Sequence, residues 1–118
     1  MSTDTIRRFE RAISDRPQID IAVDHFFSDG VYGRVMDMPA STALVGATHK
    51  HNHLAILLSG TVLVSSKYGK VTYQAPAIVN VFAGDKRAFF AITDVSYMTI
   101  HVTDETDLDK LEQELVEC

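Results

Sequence analysis

Apolar and polar residues change period twice along this chain. Over residues 3–16, Ile6, Phe9 and Ile13 follow helical spacing, Ser2 or Thr3 can cap the start, and Pro17 ends the run. From about 19 to 103 the period shortens to two, and turn residues interrupt it every 8–12 positions. Ile19 to Phe27 stops at Ser28-Asp29-Gly30, and Val31 to Met38 stops at Pro39. Residues 42–45 and 49–58 lead into Gly60, and Thr61 to Ser66 turns at Lys67-Tyr68-Gly69-Lys70 into Val71 to Gln74, a predicted hairpin. Ala77 to Phe82, Arg87 to Ile92 and Val95 to Thr103 complete the set. Roughly eight to ten short strands of this kind predict an all-β sandwich or barrel. Residues 106–117 return to helical spacing, with Leu108, Leu111 and Leu115 on one stripe and Thr106 and Asp109 placed as a capping box.

The expected organisation is one domain over 1–118: an N-terminal helix in 1–17, a β-barrel in 19–103 and an acidic helical tail in 104–118. The 118 residues suffice for one core, and 46% hydrophobic composition is that of a globular chain. A net charge of −5 argues against non-specific nucleic-acid binding. No apolar run approaches the roughly 18 residues that span a bilayer. No apolar leader follows Met1, and the single cysteine, Cys118, allows no internal disulfide, so a reducing cytoplasm is the expected setting. The first helix is rich in arginine (Arg7, Arg8, Arg11, Arg16), whereas the last segment holds seven acids and one base; the two read as solvated amphipathic helices docked on the barrel, with packing side by side, in one subunit or across a dimer, as the alternative. Phe89-Phe90 puts an aromatic on each face of one strand, so one of the two must point outward, which favours a homo-oligomer, a dimer above all.

Specific chemistry is concentrated in His49-Lys50-His51-Asn52-His53. In a strand, every second side chain shares a face, so three imidazoles would project together. Neutral imidazole is the commonest protein metal ligand. His101, on the probable last strand with Tyr97 and Thr99 on its face, can complete such a site. The expected metal-ligand set is therefore His49, His53, His51 and His101, for a divalent ion such as Fe, Mn, Zn or Ni. Phosphate loops, paired-cysteine zinc motifs and a serine nucleophile elbow are all missing.

These residues resemble the motifs of the cupin superfamily, small double-sheet β-barrels of the jelly-roll type. The first cupin motif has a glycine, two histidines one residue apart, a glutamate four residues after the second, then a glycine. Anchored on Leu57-Leu58-Ser59-Gly60, the second histidine falls on His49, the glutamate on His53 and the first histidine on Ala47. In the second motif (proline, glycine two later, histidine three beyond), Phe82-Ala83-Gly84-Asp85-Lys86-Arg87 puts Phe82 at the proline and Arg87 at the metal histidine. Arginine stays protonated and cannot ligate a metal, so Arg87, with Tyr97, is expected to bind a small ligand through a carboxylate or phosphate.

The chain also resembles small cupin-like proteins of tailed bacteriophages and prophages. That resemblance is carried by His25-Phe26-Phe27-Ser28-Asp29-Gly30-Val31-Tyr32, His49-Lys50, His53-Leu54, Ala75-Pro76-Ala77, Gly84-Asp85-Lys86-Arg87 and the run Thr99 to Lys110. It implies a cupin-type antiparallel barrel with short N- and C-terminal helices, acting in an infected host cytoplasm or in the virion. The resemblance implies no reaction; with the histidine cluster it leaves three roles open: an accessory protein binding a metal or small ligand or serving as an assembly module, a metal-dependent enzyme of dioxygenase, isomerase or lyase type, or a virion or tail component that contacts other phage proteins.

Overall fold

A computed structural model describes Ile6 and residues 21–116. Nine strands are found among them: β1 (Ala22–Ser28), β2 (Val31–Met38), β3 (Ala43–Val45), β4 (His53–Ser59), β5 (Thr61–Ser66), β6 (Gly69–Gln74), β7 (Ala77–Val81), β8 (Ala88–Ala91) and β9 (Val95–Val102). One helix, α1 (Leu108–Leu115), follows. The expected N-terminal helix lies outside the described residues except for Ile6, which is helical and buried. Its pairing with the acidic tail lies outside them too, as does Cys118.

The strands form two antiparallel sheets, one in the order β1-β2-β9-β4-β7 and the other β3-β8-β5-β6. The two-residue periodicity read from the sequence decides which side chains face inward. On β9, Val95, Tyr97 and His101 are buried while Val102 is exposed; on β4, His53, Ala55 and Leu57 are buried while Leu54 and Leu58 are exposed. Phe89 packs edge-on against Tyr97, with ring centroids 5.4 Å apart, and Phe90 on the opposite face is exposed, the split expected for that pair.

Register then sorts the interior into two ends. Met36 pairs with Tyr97, and Tyr97 with Leu57, so one row across the larger sheet is apolar. Together with Val62, Val64, Phe89 and Ala91 of the smaller sheet this row forms the main core. Each large apolar side chain fully buried there contributes about 1.5–3 kcal/mol. Four residues along β9 the character reverses: Tyr32 pairs with His101, and His53 lies one step beyond the Leu54–Ile100 pair. Here α1 covers the interior by packing Leu111 and Leu115 on Tyr32.

The structure moves the cap of this helix. Asp107, not Thr106, is the N-cap; its carboxylate accepts from the backbone N–H groups of Asp109 (3.0 Å) and Lys110 (3.2 Å). A carboxylate there satisfies two otherwise unpaired donors and sits favourably at the positive end of the helix dipole. Of the expected leucine stripe, Leu111 and Leu115 are buried and Leu108 is half exposed.

The link from β4 to β5 turns at Gly60, with φ +89°, where a Cβ would fall 2.0 Å from the carbonyl oxygen of Asp94. That backbone cannot be pushed aside cheaply. Gly60→Ala is therefore expected to destabilise the protein by at least about 2 kcal/mol, lowering the thermal midpoint by several degrees. Gly69→Ala, which meets nothing within 4 Å, carries backbone strain alone and should melt higher than Gly60→Ala. Circular-dichroism melts giving the reverse order would refute this packing of the turn.

Candidate metal centre and cavity

Two of the imidazoles in the polar end arrive on neighbouring strands, His53 at the start of β4 and His101 near the end of β9. The third, His49, comes from the loop before β4. That loop is held from both sides. His49 forms an isolated antiparallel bridge with Val116, and the N–H of Lys50 donates to the carbonyl of Leu115 at 2.7 Å. On the other side, the N–H of Gly84 donates to the carbonyl of His49 (2.9 Å), and that of Ala83 donates to Oδ1 of Asn52 (2.8 Å). The backbone at 49–52 is thus satisfied by a helix end and the β7–β8 loop, not by a strand ladder.

This corrects one expectation. Residues 49–53 are not a continuous strand, and β4 begins only at His53. His51 sits in a bend and is exposed, outside the cluster formed by the other three. Its backbone still takes part, since the carbonyl of His51 lies 3.5 Å from Nδ1 of His53. A carbonyl only accepts, so this contact favours the proton on Nδ1 and leaves Nε2 of His53 with its lone pair free.

The centroids of His49, His53 and His101 are 4.4 Å (49–53), 4.5 Å (53–101) and 5.2 Å (49–101) apart. One ring nitrogen from each lies within 4.8 Å of the others. An ion about 2.0–2.1 Å from each imidazole nitrogen needs slightly closer spacing, which small side-chain rotations supply. Three imidazole nitrogens are a donor set suited to Zn, Fe, Ni or Cu. Nε2 of His101 lies 3.0 Å from the hydroxyl of Thr99, and Tyr32 stacks on the ring at 5.9 Å.

Burial and mutual repulsion keep these rings neutral. His49 is pushed down to about 4, first by desolvation and then by His53, Arg34 and Arg87. His101 is pushed down to about 3 by desolvation, His53, His49 and Arg34, and His53 is lowered mainly by desolvation. His49 and His101 therefore offer lone pairs well below neutral pH, and burial shifts His53 in the same direction.

The trio opens on a cavity of about 610 Å³ between the sheets and α1. Arg87, buried, donates to the hydroxyl of Tyr97 and lies over the ring of Phe89, 4.9 Å from its centroid. Both predicted ligand-binding residues thus line the cavity that holds the trio. Sequence reasoning missed Arg34, Tyr32 and Asp85, all in the same wall. Arg34 carried a readable signal, a charge at an inward position between Tyr32 and Met36. Asp85 carried none, because loop side chains have no periodicity to betray their direction. Asp85 is buried, its Oδ1 has no hydrogen-bond partner, and burial pushes its carboxyl up against the opposing pull of Arg87 and Lys67. His25, read as structural, is also in the wall, with Nδ1 2.6 Å from the hydroxyl of Tyr32.

No protein-family profile and no curated protein matches the chain. Solved structures do. A cupin superfamily protein from Desulfitobacterium hafniense superposes with a TM-score of 0.62 at 13% identity, over 75% of this chain and 83% of its own. The fold is a cupin fold. A cupin domain from Bordetella pertussis (TM-score 0.57, 13% identity, 75% and 98% covered) and a protein from Photorhabdus luminescens (0.64, 13%, 81% and 86%) are similar to it as well. Of the four histidines expected as ligands, His49, His53 and His101 lie together. No helix among the described residues is long and apolar enough to cross a membrane.

The depressed imidazoles make stability depend on pH. Unfolded histidines take up protons near pH 6.5, whereas the folded His49 and His101 resist down to about 4 and 3. Their contribution is complete above pH 6.5 and is lost as pH falls below it, at up to about 1.4 kcal/mol per pH unit for each histidine. Denaturant midpoints of metal-free protein should therefore fall between pH 6.5 and 5, above the carboxylate range, and His101→Asn should flatten that slope. A flat wild-type profile would contradict the burial of neutral rings.

Proposed function

We propose that this protein binds a divalent ion, of the Fe, Mn, Zn or Ni type, through His49, His53 and His101, and a small ligand in the adjoining cavity. The observation that carries this reading is the convergence of three neutral, mostly buried imidazoles on one point of a cavity wall. Burying three polar rings side by side costs stability unless they gain partners, and among the described residues they have few. When bound, the ion supplies a Lewis acid or redox centre whose remaining coordination positions face the cavity. Within it, Arg87 and Tyr97 orient the ligand, and α1 with Leu111 and Leu115 keeps bulk water from that end.

The accessory role suggested by the likeness to phage cupin-like proteins belongs to this reading, in the host cytoplasm or the virion. A metal-dependent enzyme is the second reading, and the open cavity beside three ligands favours it. Catalytic metal sites keep three protein ligands and leave a position for water or substrate.

We also propose a homodimer, or docking to another phage protein, through the outer face of the larger sheet. Its support is an apolar strip in which Phe26, Leu54 and Ile78 are exposed beside Met98 and Ile100.

Elemental analysis of untagged protein should find about one equivalent of metal per chain. His49→Ala with His53→Ala, or His101→Ala alone, should reduce it at least tenfold with the circular-dichroism spectrum unchanged, while His51→Ala should retain it. Less than a tenth of an equivalent in the wild type, even after incubation with Zn, Fe, Mn and Ni salts, would overturn the metal reading. For the outer face, sedimentation should give twice the chain mass, and Ile78→Lys should return it to that of one chain; a wild-type monomer at all concentrations would exclude the dimer.

A further inference from the structure

His53 and His101 stand on strands of the larger sheet, whereas His49 stands on a loop whose backbone is bonded to the end of α1. That helix is poorly equipped to hold itself. It has eight residues, and isolated helices shorter than about 12–15 residues are marginal in water. Its last turn carries no basic residue, while Glu112 and Glu114 stand near the negative end of its dipole. The missing cation comes from the barrel: Nζ of Lys50 donates to the carbonyl of Gln113. The hydroxyl of Thr103 donates to the carboxylate of Glu114 at 3.0 Å. The buried face is small, since Leu111 and Leu115 pack on Tyr32 in a cluster apart from the main core. Docking therefore keeps α1 helical, and docking is secured beside one of the three imidazoles. Leu108, Leu111, Leu115 and Val116 all line the cavity, so lifting this segment uncovers it.

We infer that α1 is a lid on the cavity, that its docking and the capture of an ion by the histidines form one linked equilibrium, and that Lys50 is the latch. This rests on the reading of the trio as a metal site and adds a regulation of that site. Docked, α1 braces the 49–52 loop from one side and holds His49 against His53 and His101, at centroid distances of 4.4 and 5.2 Å. Undocked, the loop loses the bonds to Leu115 and Val116, and two strand ligands remain fixed. By reciprocity, an ion that draws His49 into place favours the docked helix by the same factor by which docking favours the ion.

Hydrogen exchange of the full chain tests this, with zinc as the probe and with zinc content and affinity (by chelator competition) measured on the same samples. The reporter is the N–H of Leu111, which donates to the carbonyl of Asp107 at the end of α1 remote from His49. Zinc should slow its exchange at least tenfold and change the amides of the β5–β6 hairpin less than twofold; His101→Ala, which removes a ligand, should abolish the response. In the other direction, Leu111→Ala with Leu115→Ala, which strips the docked face but keeps good helix formers, should weaken zinc at least tenfold. Lys50→Met, an exposed change that covers the case in which the double variant does not fold, should weaken zinc at least threefold, and Lys50→Arg should restore it. One equivalent of zinc bound with Leu111 exchange unchanged, or with an affinity indifferent to the helix and latch variants, would overturn the inference and leave the metal site standing. Zinc below a tenth of an equivalent in the wild type would overturn both.

Discussion

A slip of β4 by one residue against β9 would turn His53 to solvent and bring Leu54 inside. The pairing that prevents it, Leu57 opposite Tyr97 and Leu54 opposite Ile100, is therefore the constraint on which the interior depends. It is enforced from the apolar end. Leu57, Tyr97, Met36 and Val62 gain their burial in only one register, and the polar end inherits its alignment from them. The rings do not need to attract one another to meet; neutral and repelling any added proton, they are held together by packing four residues away along β4 and β9.

The same arrangement brings two guanidiniums into the interior of an acidic chain. The acids are concentrated in the last segment and on the surface, whereas Arg34 and Arg87 take inward positions among aromatic and aliphatic side chains. The stem of Arg87 packs on Phe89 and its head meets Tyr97, so the guanidinium is oriented before any ligand arrives.

Much of this was legible in the chain, for definite reasons. β2 and β5 have the bounds that alternation predicted, because Val31 to Met38 and Thr61 to Ser66 each lie between strong turn signals. His101 was readable as a companion to His49 and His53 because Tyr97 and Thr99 set its face. His51 was misjudged because alternation was extended across Lys50–Asn52, where hydrogen bonds go to Leu115 and to the β7–β8 loop, partners far away in sequence. The cap of α1 was misplaced by one residue because Thr106 and Asp107 are both good caps, and the choice depends on where the chain leaves β9. Asp85 was beyond reach, since nothing local separates a loop carboxylate that is buried from one that is solvated.

The bridge between His49 and Val116 has a practical consequence. Val116 reaches the rim of the histidine cluster, so a polyhistidine handle fused after Cys118 would begin three residues further along the chain. It would offer competing imidazoles at high local concentration and could fill the very positions a native ion or substrate would take. Metal stoichiometry measured on such a fusion would describe the handle as much as the protein, whichever way the number came out.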